Sequence, residues 1–283
     1  TYNNRRGGWT VIFRPAVTNY STSALDYTLS DATLLLVSAF THESGLTLAL
    51  RSFPEGQEQA AVQALLRELT LQGRVVTLDA LHTQRDTSQL ILDQDGDYVL
   101  TAKGNQAGLR AAIQDCLAPW QAATQDRAVY TCSERGHGRC ETRTLVAVSV
   151  STPEVDWPGV QQVFCLTRQV YRRRTGKCST EVVWGVTSLS RAAAGPERLL
   201  RLNRGHWGIE NRSHWVRDVV CREDGGLAVV DNTAEVLAVL RTVILNVLRL
   251  HRVPNLGKQF RANVDRPRDA ARFLGLSVPA RFL

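Results

Sequence analysis

Two carboxylates in very different surroundings carry the candidate chemistry of this chain. Asp79 directly follows an apolar run, residues 75–78, that is typical of a buried strand. Glu210 lies far downstream, in a helix-like stretch rich in tryptophan, histidine and arginine over residues 206–215. Carboxylate oxygens are the ligands that Mg²⁺ prefers, and bound metal ions can act on a phosphodiester. The sequence therefore predicts a metal site that includes both acids.

A zinc site at the same place is disfavoured by distance. His206, Glu210 and His214 share one face of a helix at spacings of four residues. Three such residues span roughly 12 Å along the helix axis, which is too far for one ion. We expect the two histidines to contact phosphate or to orient Glu210.

Composition and charge indicate a folded protein with a polyanionic partner. Hydrophobic residues make up 43% and charged residues 22% of the 283 residues, which is typical of a globular chain. The net charge is +7 and the pI about 9.4, carried by arginine far more than by lysine. Arginine matches phosphate geometry, so nucleic acid is the expected partner, although charge alone does not separate DNA from RNA.

Other features of the chain bear on its compartment and its start. No signal peptide opens the chain and no apolar run reaches ~18 residues, so we expect a cytoplasmic protein with no membrane partner. The six cysteines include no CxxC pair, and Cys132, His137 and Cys140 lack a fourth ligand at finger spacing, so reduced cysteines are expected. The chain contains no methionine and starts at Thr1, which indicates a truncated or processed product.

Hydrophobic periodicity predicts alternating strands and helices in the first half. Residues 1–23 show little periodicity and are expected to be irregular. Strands are predicted at 24–29, 33–40 and 46–51, with Gly45 in the turn of a hairpin. Further elements follow in the order helix 58–71, strand 74–80, helix 87–92, strand 97–103 and helix 106–117.

In the second half of the chain, a series of predicted strands is followed by predicted helices. Four strands are predicted within 129–189, and a helix is expected from Glu197 towards Cys221. A last helix starts at Asn232, and Pro254 closes it. Its wide apolar stripe predicts core packing.

The order of these elements predicts an α/β fold of the RNase H-like type. Three antiparallel strands, a helix and a fourth strand beside the first form its mixed sheet, with flanking helices. Asp26 would then lie on the first strand and Asp79 at the end of the fourth. The expected division is an irregular N-terminal segment at 1–23, the first part of the catalytic domain at 24–128, a β-rich insertion at 129–190 and the helical remainder at 191–283. The insertion precedes the last catalytic helix, which carries Glu210.

Several motifs occur in one order along residues 33–250. They are Val76-Thr77-Leu78-Asp79-Ala80-Leu81-His82-Thr83-Gln84, Asp97-Tyr98-Val99-Leu100, Lys103-Gly104-Asn105-Gln106, His137-Gly138-Arg139 with Glu141, His206-Trp207-Gly208-Ile209-Glu210-Asn211, His214-Trp215, Asp218-Val219 and Arg222-Glu223-Asp224. This set resembles the DDE transposases of the H-repeat-associated (ISAs-type) insertion-sequence family.

The resemblance implies an activity, cofactors and partners. Asp79 would be the second and Glu210 the third acid of a triad that holds two Mg²⁺ ions, with Mn²⁺ as a substitute. The reaction would be DNA strand cleavage and strand transfer at insertion-sequence ends and target DNA. The resemblance also implies a homo-oligomer on double-stranded DNA and a nucleoid-associated location.

The first acid departs from the family pattern. The family has an Ala-Ile-Asp-Gly-Lys-type segment followed by a basic, glycine-containing stretch. Here Ala24-Leu25-Asp26 runs directly into Tyr27-Thr28-Leu29-Ser30. Asp26 is assigned as the first acid, with Asp31 or no functional equivalent as the alternatives. A catalytically inactive DNA-binding remnant is the alternative function.

Basic and aromatic residues near these motifs are candidates for DNA contact. Trp207 could stack on bases or pack in the core, and the arginines at 172–174 flank a predicted hairpin tip. The predicted DNA-binding set is Lys103, Asn105, Arg172, Arg173, Arg174, Arg204, His206, Trp207, Arg212 and His214.

Overall fold

The computed structural model describes most of the chain between residues 8 and 275. The described residues are 8–15, 34–54, 56–118, 126–136, 138–151, 153–208, 212, 216, 220, 233–266, 268, 270, 271 and 275. They fall into two compact units. The first contains residues 1–11 and 66–206, and the second contains residues 12–65 and 207–283.

The strands and helices alternate as an α/β fold. The strands are β1 (Gly8–Pro15), β2 (Leu34–Thr41), β3 (Thr47–Pro54), β4 (Val75–Leu78), β5 (Asp97–Ala102), β6 (Ala128–Gly136), β7 (Arg139–Ser149), β8 (Gln162–Arg172) and β9 (Lys177–Thr187). The helices are α1 (Glu58–Glu68), α2 (Arg85–Asp93), α3 (Ala107–Cys116), α4 (Pro196–His206), α5 (Thr233–Leu250) and α6 (Leu256–Asp265). No helix within the described ranges is long and apolar enough to cross a membrane.

The first unit is built on a mixed sheet. Its strand order is β1-β4-β5-β9-β8-β7-β6, with β4 parallel to both β1 and β5 and with the β5–β9 pair and all later pairs antiparallel. The predicted β-rich insertion is confirmed as β6 to β9. It extends the sheet, because β9 pairs with β5 from Val99↔Thr187 to Ala102↔Trp184.

The second unit contains the β2–β3 hairpin, with the later residues of β1 beside β2. The strand orders 3-2-1 and 1-4-5 are those of the RNase H-like fold, which confirms the predicted fold class. Gly45 takes φ +71° in the hairpin turn, in the left-handed region that favours glycine. The predicted use of this glycine is therefore confirmed.

The strand beside β4 differs from the expectation. β1 lies at Gly8–Pro15, inside the segment predicted to be irregular. The predicted strand at 24–29 lies outside the described residues. β1 contains no aspartate or glutamate, so the strand that pairs with β4 supplies no carboxylate. The domain boundaries expected from the sequence remain a prediction.

One face of the first unit's sheet packs against α4. Side chains alternate along each strand, so Val75 and Thr77 of β4 share a face with Val99 of β5 and Phe164 of β8. The buried cluster on this face includes Val75, Val99, Phe164 and the α4 residues Leu199, Leu200 and Leu202. This packing covers β4, whose four residues are all buried.

Gly185 of β9 leaves the space that Phe164 occupies on this face. A Cβ at Gly185 would lie 2.2 Å from Phe164 Cζ and 2.6 Å from the Leu100 carbonyl oxygen. The carbonyl is part of the β5 backbone and cannot move independently of the sheet. A side chain at residue 185 therefore cannot be added without a shift of the sheet or of Phe164.

We expect Gly185→Ala to lower the free energy of unfolding by about 2–3 kcal/mol, because overpacking displaces Phe164 or β5. The matched control is Gly108→Ala on α3, where a Cβ meets nothing within 4 Å. That change should be neutral or stabilising by up to ~1 kcal/mol, because alanine favours helix. Urea denaturation of both variants measures the difference, and equal stabilities would contradict this reading of Gly185.

Candidate active site

Asp79 lies at the carboxyl end of β4, where the chain leaves the sheet. It precedes a short 3₁₀ turn, Ala80–His82, and its Oδ1 accepts a hydrogen bond from the Ala80 N–H at 2.7 Å. The side chain is 52% exposed. The carboxylate thus caps a turn and is also open to solvent.

Lys103 and Asn105 lie beside Asp79. β4 and β5 run parallel with Leu78 opposite Leu100, so both strands end at the same edge. Lys103 Nζ is 3.7 Å from Asp79 Oδ1, and Asn105 Nδ2 donates to the Ala80 carbonyl at 2.8 Å. The structure therefore brings together three residues that the sequence analysis selected separately.

Further polar contacts hold the turn after Asp79 against the end of β5. Thr83 Oγ1 donates to the Thr101 carbonyl at 2.8 Å, and Gln106 Nε2 donates to the Thr83 carbonyl at 2.9 Å. Neither Thr83 nor Gln106 was among the site residues predicted from the sequence. The sequence pattern that could have identified them is a set of polar residues just after two neighbouring parallel strands, where ligand sites of α/β sheets form.

His206 is buried at the end of α4 rather than presented to solvent. Its Nδ1 lies 3.3 Å from Thr77 Oγ1, and both side chains are at least nine-tenths buried. Thr77 is two residues before Asp79 on β4, so the two side chains project from the same face of the strand. The histidine therefore fixes the end of α4 to the strand that leads directly into Asp79.

Arg204, a predicted DNA contact, forms a two-pronged ion pair with Glu134 of β6. Its two terminal nitrogens lie 2.6 and 3.1 Å from the Glu134 carboxylate oxygens. The hydrogen bond from Arg204 is the largest cause that holds the pKa of Glu134 below its usual value. In this conformation the guanidinium binds the protein's own carboxylate.

Glu141 of β7 is the buried centre of a wider ionic network. Arg143 donates to it at 2.6 Å and also reaches Glu134 at 3.2 Å, and Arg168 donates to it as well. Burial alone would raise the pKa of Glu141, but the hydrogen bond from Arg168 and the charges of Arg143 and Arg168 hold it below its usual value. Through Glu134 and Arg204 the network connects the insertion to α4.

Arg212, another predicted DNA contact, belongs to the second unit. Its guanidinium donates to the carbonyls of His42 and Glu43 at 2.7 and 3.3 Å and lies 5.8 Å from the centroid of the Phe40 ring. A Cβ at Gly45 would lie 2.5 Å from Arg212 Nη2. Arg212 therefore packs closely on the β2–β3 turn.

The remaining described candidates are exposed. Trp207 has 51% of its surface exposed, so the core-packing alternative does not hold for it. The arginines at 172–174 are exposed at the turn between β8 and β9, and Arg172 lies opposite Arg139 of β7 and Lys177 of β9. The ends of two neighbouring hairpins therefore form one positively charged edge.

Three predicted site residues, Asp26, Glu210 and His214, lie outside the described residues. Among the residues that are described, no three His, Cys, Asp or Glu side chains cluster as a metal site. Asp79 offers the hard oxygen donor that a divalent ion requires, but one carboxylate is an incomplete ligand set. The described cysteines, at 116, 132, 140, 165 and 178, are free.

Comparison with known proteins identifies the family. Residues 32–247 match the family model of the transposase DDE domain. The chain is 31% identical over 220 residues to the putative transposase YncI of Escherichia coli O157:H7, covering 76% of this chain and 56% of that protein. It is 28% identical over 242 residues to the H repeat-associated putative transposase YhhI of Escherichia coli K12, covering 82% and 63%.

A solved structure supports the fold. A piggyBac transposase in a synaptic complex with hairpin DNA superposes with a TM-score of 0.50 and 11% sequence identity, covering 97% of this chain and 55% of that one. The chain belongs to the DDE transposase family, in the group with the H-repeat-associated transposases. The matched region spans less than two thirds of the length of these curated relatives.

We expect Glu141→Gln to lower the free energy of unfolding by about 3 kcal/mol at pH 7, because it leaves arginines without their buried countercharge. The folded-state pKa of Glu141 lies below its usual value of about 4.3, so its contribution is present above that pH and is lost as pH falls through the folded-state pKa. The variant should therefore lose less stability on acidification.

The control for this comparison is Glu181→Gln, at the exposed end of the same network, where Arg168 Nη1 reaches Glu181 at 3.2 Å. Its effect should stay below about 1 kcal/mol. Urea denaturation at pH 7 and at several lower values provides the measurement. If the two variants lose the same free energy of unfolding at each pH, Glu141 is not the centre of the network.

Proposed function

We propose that this chain catalyses metal-dependent DNA strand cleavage and strand transfer of an insertion sequence. The observation that carries the proposal is an accessible carboxylate, Asp79, at the shared carboxyl edge of two parallel strands and beside Lys103. Membership of the DDE transposase family indicates the type of reaction in which this acid would take part. Double-stranded DNA, as insertion-sequence ends and target, is the proposed substrate.

The proposed metal ligands are Asp79, Glu210 and, provisionally, Asp26. Together they would hold two divalent ions, Mg²⁺ with Mn²⁺ as a substitute. When bound, such ions lower the pKa of the attacking water or DNA hydroxyl and stabilise the leaving oxygen. Carboxylates suit this role because both ions prefer oxygen donors. Glu210 and Asp26 are assigned from the order of the motifs.

The basic residues next to Asp79 have a proposed role in substrate binding. The Lys103–Asp79 pair is half-exposed, so it is weak and can open for a phosphate. Lys103 and Asn105 would hold the DNA backbone near the acid, and Arg172, Arg173 and Arg174 would hold it further away. Trp207 and His214 complete the proposed contact set.

Arg204, His206 and Arg212 have contacts within the protein that favour a positioning role. Arg204 binds Glu134, His206 lies against Thr77, and Arg212 binds the β2–β3 turn. Each could reach DNA only by exchanging these contacts. A cytoplasmic, nucleoid-associated location and a homo-oligomer on DNA complete the proposal.

A second function is favoured by one specific observation. β1, the strand paired with β4, contains no acid, whereas this site chemistry needs a carboxylate beside Asp79. The chain would then be a catalytically inactive DNA-binding remnant. The two functions differ in one measurable property, which is metal-dependent cleavage.

We expect the protein to nick duplex DNA that carries its insertion-sequence ends when Mg²⁺ or Mn²⁺ is added. Asp79→Asn and Glu210→Gln should each reduce nicking at least about 100-fold, because each removes a metal ligand. Gel analysis of end-labelled DNA measures both cleavage and joined products. The matched control is Asp115→Asn, an exposed acid on α3, which should retain full activity.

Unchanged nicking in Asp79→Asn or Glu210→Gln would refute these assignments. Salt-sensitive DNA binding without cleavage in the unmodified protein would favour the inactive remnant. Cleavage without joined products would indicate a nuclease of the same metal chemistry.

Replacing Arg172, Arg173 and Arg174 together by alanine should weaken DNA binding about equally for all sequences. Each lost phosphate contact should reduce the slope of log K against log salt by about 0.9. Fluorescence anisotropy at several salt concentrations measures the slope. Arg110→Ala, an exposed change on α3, is the control, and an unaltered slope in the triple variant would contradict the proposed contact.

A further inference from the structure

α5 has two apolar faces, and one of them is fixed to the hairpin of the second unit. Asn246 accepts from the Thr47 N–H at 3.0 Å and donates to the Thr47 carbonyl at 2.7 Å. Ser52 donates to Glu235 at 2.7 Å. Ala238, Leu245 and Leu248 on this side are at most 2% exposed. This inner face therefore belongs to the core.

The opposite face is aliphatic and exposed. Core packing was predicted for the whole apolar stripe of this helix, and for this half the prediction is wrong. The exposed residues and their exposed fractions are Val236 52%, Val239 45%, Leu240 51%, Val243 49%, Ile244 39% and Leu250 67%. We call these six residues, together with the partly exposed Val247, the outer face of α5.

The spacing along the outer face is that of a helix–helix seam. Val236, Leu240, Val243, Val247 and Leu250 follow one another at intervals of four, three, four and three residues. This is the a/d repeat of a coiled coil, in which each apolar residue inserts between residues of a partner helix. The occupant that this pattern fits is another α-helix with the same repeat.

The stripe is also complementary to itself. Val243 lies midway between Val236 and Leu250, so a second, antiparallel α5 places Val243 against its own copy and Val236 against Leu250. A two-fold interface requires this self-complementarity.

The exposed area is sufficient for a pair of copies. On the order of 500 Å² of aliphatic surface is open on the outer face, the scale of patches that mark interaction sites. Covering it on two copies removes ~1,000 Å² from water, the lower limit for a specific interface. We propose that two copies of this chain associate through the outer face of α5, in the absence of DNA. This inference does not rest on the catalytic assignments.

The test uses opposite charges at the centre of the seam. Val243 is half-exposed, so the variants Val243→Glu and Val243→Lys should both fold. Circular dichroism verifies that they do. The unmodified full chain should sediment as a dimer at tens of micromolar without DNA. Each variant alone should be a monomer, with association weakened at least about 30-fold. The reason is that residue 243 of each copy then places the same charge at the two-fold axis.

An equimolar mixture of the two variants should restore the dimer, because residue 243 of one copy then faces the opposite charge on the other. Val264→Glu on α6, where the side chain is 79% exposed and off the stripe, is the matched control and should stay dimeric. Three results would overturn the proposal: a monomeric unmodified chain, dimeric single variants, or a mixture that stays monomeric. None of them depends on DNA cleavage.

Discussion

The parallel pairing of β4 with β5 is the constraint on which the candidate site depends. All four residues of β4 are buried, and their register with β5 sets Leu78 opposite Leu100. Packing on each face holds this register, because a shift of one residue would turn Val75 and Thr77 away from their partners on α4. Asp79 and Lys103 therefore leave the sheet at one edge, and the contacts of Thr83, Asn105 and Gln106 hold the turns that follow.

The face of the sheet under α4 changes from apolar to ionic along its length. Near β4 and β5 it is aliphatic, and α4 packs there through Leu199, Leu200 and Leu202. Towards the hairpin ends of the insertion it carries Glu134, Glu141 and the arginines bound to them. Arg204 and His206 attach the end of α4 to both regions. The insertion thus has a structural role in addition to any contact with DNA.

Much of the fold could be predicted because local patterns agree with it. The spacing of apolar residues in α1 and the positive φ of Gly45 were visible in the sequence, as were the strands of the insertion. β1 was missed, although Trp9 to Phe13 is a run of strand-forming residues. The run is short and flanked by arginine and glycine, and its parallel partner β4 lies more than 60 residues away, with Gly8 opposite Val75.

The site was predictable only where residue type and position coincide. Asp79, Lys103 and Asn105 stand at strand ends, and the structure brings them together. The pairing of Arg204 with Glu134 was not predictable, because it joins residues 70 positions apart that carry no shared pattern. The exposure of α5 was also not predictable, because periodicity shows that a face is apolar but does not show what covers it.

The central claim is that Asp79 and Glu210 share divalent metal, and a crystal structure of the full chain with Mn²⁺ and an insertion-sequence end tests it most directly. We expect an anomalous peak bonded to oxygens of both carboxylates at about 2.0–2.2 Å, the range for small divalent ions. Carboxylates of Asp79 and Glu210 that lie more than about 6 Å apart, with no ion between them, would contradict it.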